Sequence, residues 1–180
     1  MSTPSLLCRK MNFTHKSTDP WTWTQAIHTD VEEILDLVEQ NYQQEITGIF
    51  TPNRTRLTYH LHDAILDQSY RLGRGNISVA KDRETKKVIA WSWVERGKYM
   101  PYSDEELAVA EFAHIDLNLS TRKRITLCSQ ILDIWILWCE LNKIPVLCST
   151  SIREDQQAFM HLHDQHGFSR RGSFAYRRIL

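Results

Sequence analysis

Glycine is scarce in this sequence. The chain has six glycines among 180 residues, which is less than half of the roughly 7% that is usual in globular proteins. They stand at positions 48, 73, 75, 97, 167 and 172, so none lies between Lys98 and His166. Glycine lets a backbone approach a phosphate closely because it has no Cβ. The sequence also has no Walker loop, no dinucleotide-binding fingerprint and no GxSxG motif, which leaves NTPase, dehydrogenase and serine-hydrolase functions without support.

Net charge and long apolar runs are absent as well. The 22 basic residues balance the 22 acidic ones. Proteins that bind nucleic acids or anionic membranes usually rely on an excess of positive charge. No apolar run approaches the roughly 18 residues that cross a bilayer. We therefore expect no membrane partner, and the composition argues against a nucleic-acid partner.

The cysteines and histidines do not form a metal-binding pattern. The four cysteines have neither CxxC nor zinc-ribbon spacing, and three of them lie in apolar runs, where a free thiol behaves as a small apolar side chain. This favours a reducing, cytoplasmic compartment. The histidines at 60 and 62, and those at 161 and 163, stand two apart on predicted helices and so point in different directions. We expect no metal site.

Both ends of the chain have unusual composition. The first 18 residues are basic, rich in Ser and Thr and free of acids, and Pro4 and a polar tract spoil any amphipathic helix there. We expect residues 1–20 to form an irregular arm that contacts a partner protein, and residues 21–180 to form a single domain. The tail is either a solvated edge hairpin or a positive contact face for a protein or a phosphate, and its arginines are Arg170, Arg171, Arg177 and Arg178.

Hydrophobic periodicity predicts a mixed α/β order. A Thr29–Glu32 capping box and a Thr51 N-cap followed by Pro52 place the first two helices. Strands joined by a right-handed βαβ crossover are parallel, so the strands that start at 107 and 144 should be parallel. The predicted fold class is α/β (α+β), with a mixed central sheet of about seven strands and about four flanking helices. The predicted elements are strand 21–27, helices 30–45 and 51–69, strands 77–80, 88–94 and 107–119, helix 121–141, strand 144–150, helix 151–167 and two short strands around Gly172.

The C-terminal stretch from Ile144 to Tyr176 resembles the GNAT superfamily of acetyl-CoA-dependent N-acetyltransferases. Its helix ends in the sequence HDQHGF at 163–168, which is similar to the family's LYExxGF segment. The passage from Glu111 to Cys139 is similar to the family's cofactor-binding strand and helix. The resemblance covers about 21–180 and implies the GNAT fold, with acetyl-CoA in the splay between the strands at 107–119 and 144–150.

The phosphate loop departs from the family pattern. The family binds the cofactor pyrophosphate with backbone amides of a Q/R-x-x-G-x-G/A loop that opens a helix. In one register Arg122 comes first, and Ile125 and Leu127 take the glycine positions. In a second register Arg124 comes first, followed by Leu127 and Ser129, so neither register restores the glycines. The resemblance implies pantetheine pairing along Asp116, Leu117, Asn118 and Leu119 and pyrophosphate binding at Arg122, Lys123, Arg124, Ile125, Thr126 and Leu127.

Three cations in the first turn of a helix oppose the helix dipole. They are explained either by a bound anion or by an ordinary exposed helix turn. If the side chain of Ile125 or Leu127 fills the position of the phosphate, the protein is better explained as a non-catalytic member of the fold.

The resemblance also implies catalytic residues. Glu111 stands six residues before Leu117, at the position of the general-base glutamate in some members, and burial would raise its pKa. A strand-end carboxylate paired with a nearby arginine is the alternative for Glu111. His163 falls on the tyrosine that often acts as general acid, although it also fits an ordinary helix-surface histidine. Gln156 falls near an asparagine that commonly precedes that tyrosine.

Two functions are consistent with these residues. The first is an acyl-CoA N-acyltransferase that transfers acetyl from acetyl-CoA to an amine substrate, without a covalent intermediate. The second is a non-catalytic adaptor or structural protein of the same fold, for instance a phage virion component. The arm, the glycine-free loop and the arginine-rich tail favour the second function.

Overall fold

A five-stranded mixed sheet lies at the centre of the computed structural model, which describes residues 18–45, 48–151, 157–172 and 177–178. The strands are β1 (Trp21–Gln25), β2 (Gly75–Asp82), β3 (Val88–Tyr99), β4 (Glu106–Ile115) and β5 (Val146–Cys148). The helices are α1 (Val31–Glu45), α2 (Arg54–Tyr70), α3 (Thr121–Asn142) and α4 (Gln157–Gln165), with a 3₁₀ turn at His28–Asp30 before α1.

The sheet has the predicted mixed character. Its strands lie in sequence order, with antiparallel pairs from β1 to β4 and one parallel pair between β4 and β5. The parallel pair confirms the βαβ prediction, and the α/β class with four flanking helices is confirmed too. The sheet has five strands within the described residues, where about seven were predicted. The expected closing pair around Gly172 includes 173–176 and 179–180, which lie outside the described residues.

Two apolar clusters hold helices on the two faces of the sheet. On one face, α1 and α2 bury Ile34 and Leu61 in the same cluster as Ile77 and Trp91 of the sheet. On the other face, the apolar stripe of α3 forms a cluster with β1, β3 and β4. The α3 side chains in it are Leu127, Ile131, Leu132, Ile134, Trp135, Trp138 and Cys139. Because both faces are covered, the central strands are apolar on both sides.

Two helix starts differ from the sequence prediction. α1 follows the 3₁₀ turn, and the Asp30 carboxylate accepts a hydrogen bond from the Ile27 amide at 3.0 Å, in place of the predicted Thr29 box. α2 starts at Arg54 because Asn53 is its N-cap, with Asn53 Oδ1 accepting from the Arg56 amide at 2.9 Å. Asparagine caps as well as threonine does, so composition alone did not separate the two positions.

β4 carries the feature that positions the site. Trp93 pairs with Phe112 while Val94 pairs with Ala110, so Glu111 is the extra residue of a β-bulge. The ladder from β4 to β5 runs only from Leu107 to Val109. Among the described residues no strand pairs with that edge of β4 beyond this point. The two strands therefore part near the bulge, and the edge from 110 to 114 has no strand partner among the described residues, while the Ile115 carbonyl accepts from Asn41 Nδ2 at 3.3 Å.

Candidate active site

A cavity of about 770 Å³ opens beside β4 where β5 leaves it. The β4 residues 110–115 form one wall. Since α1 and α3 pack on opposite faces of the sheet, the cavity passes through the gap beside β4. We name the part next to α1 the α1 chamber and the part next to α3 and α4 the α3 chamber. The α1 chamber is lined by Asn41, Tyr42, Glu45 and Phe50, and the α3 chamber by Thr121, Arg124, Ile125, Cys128, Ile131, Trp135, Thr150, Ser151, Ala158, Phe159 and Leu162.

Glu111 lines this cavity at the β4 bulge. The residue is exposed, where burial was expected, yet partial desolvation by the cavity wall still raises the pKa of its carboxyl above the usual value. Repulsion from Glu95 raises this pKa further, and attraction to Lys98 opposes the rise. A carboxylate with a raised pKa is a stronger proton acceptor, which suits removal of a proton from an ammonium group.

The N-terminus of α3 opens at the α3 chamber. The Ser120 side chain does not cap the helix, so the amides of the first turn, at Thr121 to Lys123, have no acceptor from the N-cap side chain. Arg122, Lys123 and Arg124 belong to this turn, and Arg124 lines the cavity. The Arg124 Nε is buried without a hydrogen-bond partner among the described residues. Positive side chains, open amides and the helix dipole together favour an anion at this end of the helix.

The two expected glycine positions lie in the second turn of α3. The helix begins at Thr121, so the amides of Ile125 and Leu127 already donate within the helix. Leu127 is fully buried in the apolar cluster, while Ile125 is 46% exposed and lines the cavity. The Thr126 hydroxyl donates to the Arg122 carbonyl at 3.0 Å. The open amides thus stand one turn earlier than the family pattern implies.

The backbone amides of the turn from Asp116 to Leu119 already have hydrogen-bond acceptors, two within the turn and two outside it. The Asp116 amide donates to Ile89 and the Leu119 amide to Asp116. The Leu117 amide donates to Gln40 Oε1 at 3.1 Å, and the Asn118 amide donates to Asp116 Oδ1 at 2.9 Å. All four amides that the resemblance assigned to pantetheine are therefore engaged, and Leu117 is the residue of the four that lines the cavity.

His163 lies behind the cavity wall. It is 1% exposed, and its ring packs edge-on against Phe159 and Phe168. Its Nδ1 lies 2.8 Å from the Phe159 carbonyl, which only accepts, so Nδ1 carries the proton and Nε2 accepts from the Ser149 hydroxyl at 2.8 Å. Burial lowers the pKa of this imidazole. The structure therefore does not bring His163 together with Glu111, and Gln156 lies outside the described residues.

Sequence reasoning missed a buried hydrogen-bond chain in the α1 chamber. Trp91 Nε1 donates to His114 Nδ1 at 3.1 Å, and His114 Nε2 lies 2.9 Å from Glu45 Oε2. Because an indole N–H only donates, His114 Nδ1 accepts and Nε2 carries the proton that reaches Glu45. Glu45 and His114 both line the cavity. A histidine inside an apolar strand was the signal available in the sequence, but its partner stands 69 residues away.

Two arginines near the C-terminal end make contacts within the described residues. Arg170 pairs with Asp164 at 3.0 Å, and Arg178 donates to the Thr51 hydroxyl at 3.2 Å. The arm at 1–17 lies outside the described residues. Within the described ranges no three His, Cys, Asp or Glu side chains converge as metal ligands, and no helix there has the length and apolar character to cross a membrane.

Solved structures of acetyltransferases share this arrangement of elements. A glucosamine-6-phosphate N-acetyltransferase from Arabidopsis thaliana matches with a TM-score of 0.65 at 11% identity, covering 89% of this chain and 99% of that chain. An aminoglycoside antibiotic 6'-N-acetyltransferase from Acinetobacter baumannii matches with a TM-score of 0.63 at 12% identity, covering 89% and 98%. The chain has the GNAT fold.

A third GNAT-fold structure was solved with acetyl-CoA, and it is described as a predicted acetyltransferase from Clostridium acetobutylicum. It matches with a TM-score of 0.65 at 12% identity, covering 88% of this chain and 96% of that chain. No protein-family model matches the sequence, and no curated protein matches it. At such low identity the likeness shows the GNAT fold, and the chemistry has to be argued from the site.

Proposed function

We propose that the protein is an acetyl-CoA-dependent N-acetyltransferase that acts on an amine. The observation that carries the proposal is a pair of unpartnered buried donors on the cavity wall. Four buried side-chain atoms have no hydrogen-bond partner among the described residues, and two of them, Arg124 Nε and Trp135 Nε1, belong to residues that line the α3 chamber. Native interiors rarely leave donors unsatisfied. Both N–H groups point to a ligand rich in acceptor oxygens.

Acetyl-CoA has the oxygens that these donors need, and it supplies the acetyl thioester when bound. Arg124 and the first-turn amides of α3 would hold its pyrophosphate, with Arg122 and Lys123 adding positive charge. Trp135 would donate to a carbonyl oxygen deeper in the α3 chamber. The β4 edge from 110 to 114 would pair with the pantetheine amides, because the turn at 116–119 has its amides engaged and the Ile115 carbonyl accepts from Asn41.

Glu111 is the residue we propose as general base. It would take a proton from the acceptor ammonium, so that the free amine forms the new N–C bond as the C–S bond breaks. The second proton that the nitrogen loses on becoming an amide would go to the departing thiolate. Direct transfer depends mainly on holding the two reactants in register. The bulge serves this purpose, because it places Glu111 on the wall at the point where the strand edge becomes open to a ligand.

For His163 we propose a structural role in place of proton donation. Its single N–H is committed to the Phe159 carbonyl, and its other nitrogen accepts from Ser149. The histidine joins α4 to the segment that follows β5, and so supports the wall that Phe159 and Leu162 give to the cavity.

The absence of glycine at 125 and 127 is weaker support for a non-catalytic protein than the sequence suggested. In this chain the first-turn amides are at Thr121 to Lys123, and Leu127 is in the core. Ile125 remains the residue on which the two functions differ, because its side chain lines the α3 chamber. Contacts of the arm and of the arginine-rich tail with partner proteins stay predictions.

Release of free thiol from acetyl-CoA in the presence of a panel of amines tests the proposed function. The wild type should release thiol only when an amine is present, and mass spectrometry should find the acetylated amine. Glu111→Gln should lower kcat by about a hundredfold, the usual range for a lost general base, and the exposed Glu84→Gln variant should behave as the wild type. Wild-type protein that binds acetyl-CoA but acetylates none of the amines would contradict the proposal.

A further inference from the structure

Two histidines outside the cavity bring their ring nitrogens together. His28 Nδ1 lies 2.8 Å from His62 Nδ1, while the ring centroids lie 5.0 Å apart, so each Nδ1 is on the ring edge that faces the other ring. Helix spacing argues against a metal site made of His60 and His62. It does not bear on His28, which stands 34 residues before His62 on a different element. The pair is therefore a product of the fold.

Both backbone segments that carry the pair are held in place by buried side chains. Gln68, which is 5% exposed on α2, donates from Nε2 to the Ala26 carbonyl at 2.7 Å, shortly before the 3₁₀ turn. Asp30, which is 5% exposed at the end of that turn, pairs with Lys81 of β2 at 2.6 Å. The positions from which the two imidazoles extend are thus set in advance, as a ligand site requires.

The two nitrogens are too close to face each other with nothing between them. When both rings are neutral, one Nδ1 must carry a proton and donate it to the lone pair of the other. His28 is exposed and His62 is half-buried. A neutral hydrogen bond that is in contact with water adds little to stability, because water offers both nitrogens other partners. The space between the rings is therefore open to an occupant that binds both nitrogens more strongly.

A divalent transition metal fits the spacing of the nitrogens. Bonds from such a metal to imidazole nitrogen are about 2.0–2.1 Å long, so two nitrogens bound at about 90° to each other are about 2.8–3.0 Å apart. A tetrahedral angle would separate them by about 3.3–3.4 Å. The observed 2.8 Å corresponds to the first case. Angles near that value belong to square-planar and tetragonal sites, which are typical of Cu²⁺ and Ni²⁺.

Metal binding replaces the shared proton without a net loss of protons. The donating ring moves its proton from Nδ1 to Nε2, which is the other neutral tautomer of imidazole. Both Nδ1 lone pairs can then bind the metal when the rings turn so that the lone pairs converge, and the exposure of His28 leaves room for this turn. Water would fill the other metal positions, because no third His, Cys, Asp or Glu among the described residues joins the pair.

We propose that His28 and His62 form a two-histidine site for a divalent transition metal, Cu²⁺ or Ni²⁺, between the 3₁₀ turn and α2. The metal would tie these two elements together and so stabilise the folded protein. Neither histidine lines the cavity, so this inference is independent of the proposed acetyltransferase function.

Calorimetric titration of the full chain with Ni²⁺ alone tests the site. The wild type should bind one Ni²⁺ there, and His62→Ala should weaken this binding about tenfold or more, since even the loss of a group that only orients a metal ligand costs about 10–100-fold in affinity. His60→Ala is the matched control, because His60 is exposed on the same helix, and it should bind as the wild type does. No heat with the wild type, or equal affinity of the wild type and His62→Ala, would overturn the inference.

A comparison of single and double variants shows whether the two histidines bind the same ion. His28→Ala, His62→Ala and the double variant should all have about the same weak affinity, because a shared ion is lost with its first ligand and the two changes are then not additive. Losses that add up in the double variant would assign the histidines to two separate sites and overturn the inference.

Thermal unfolding gives a second readout. Ni²⁺ at about a hundredfold its Kd should raise the Tm of the wild type by about 5–10 °C and leave the Tm of His62→Ala nearly unchanged. Both side chains are in contact with solvent, so the metal-free variants should fold as the wild type does, which circular dichroism checks. An equal rise of Tm in the wild type and in His62→Ala would place the metal elsewhere and overturn the inference.

Discussion

Replacement of His163 by alanine should destabilise the protein and leave the chemistry of transfer in place. The imidazole is 1% exposed, makes two hydrogen bonds of 2.8 Å and contacts two phenylalanine rings at centroid distances of 4.4 and 4.8 Å. Truncation of a large buried side chain costs about 2–5 kcal/mol. The Ser149 hydroxyl would also lose its acceptor, but Ser149 is only partly buried, so this loss adds less than the about 1–3 kcal/mol of a fully buried group. Because the side chains around the vacated space can relax, we expect His163→Ala to lower the free energy of unfolding by about 3 kcal/mol.

The pH dependence of this loss has a definite sign. Burial lowers the pKa of His163 in the folded protein, while the unfolded chain keeps a value of about 6.5. Below that pH the unfolded state binds a proton that the folded state does not take up. The contribution of neutral His163 to stability is thus complete above pH of about 6.5 and decreases as pH falls towards the folded pKa. Stability of the His163→Ala variant should therefore depend less steeply on acid pH than that of the wild type.

Urea unfolding at pH of about 8 and about 5.5 measures both effects. His161→Ala is the matched control, because His161 is an exposed residue of the same helix. It should stay within about 0.5 kcal/mol of the wild type. Loss of thiol release in His163→Ala, with an unchanged free energy of unfolding, would refute the structural role and restore His163 as a proton donor.

Three further expectations concern the site and the core. The kcat/KM of the wild type should rise with pH through a raised Glu111 pKa, since the base must be ionised, and Glu111→Gln should flatten that profile; an unchanged profile would remove Glu111 as the base. Leu127→Ala should cost about 2–5 kcal/mol in urea unfolding, while the half-exposed Ile125→Ala should cost less than about 1 kcal/mol, and equal losses would contradict the placement of α3. Cys139 is 5% exposed and burial raises its thiol pKa to about 11, so it should react with iodoacetamide only on unfolding; labelling of Cys139 in the folded protein, located by peptide mapping, would contradict its burial.

The sequence carried enough information to predict the order of elements and the βαβ unit. Apolar periodicity in α3 and the short apolar run of β5 predicted a crossover, and the handedness rule then predicted the parallel pair of β4 and β5. These predictions succeeded because burial patterns are local properties of the chain. The boundaries were less exact, since Asn53 competes with Thr51 as a cap and Asp30 competes with Thr29.

The candidate site could be predicted only in part. The strand pattern placed Glu111 on β4, and the structure puts it on the cavity wall, while its role as a base stays a prediction. The start of α3 at Thr121 matches the predicted helix at 121–141, but the sequence did not show which amides of that helix end are open to an anion. The bond of Gln40 to the 116–119 turn joins residues 77 positions apart, and such long-range pairs leave no periodic trace in a single sequence.

Calorimetric titration of acetyl-CoA tests the central claim most directly, because the α3 N-terminus must bind the cofactor if the protein is an acetyltransferase. The wild type should bind acetyl-CoA with a Kd below about 1 mM, in the range of common substrate affinities. Arg124→Gln should weaken binding about tenfold or more, since it removes a charge-assisted bond to the pyrophosphate. Arg56→Gln, an exposed residue on α2, should bind as the wild type does. No heat at millimolar acetyl-CoA, or equal affinity of the wild type and Arg124→Gln, would contradict the account.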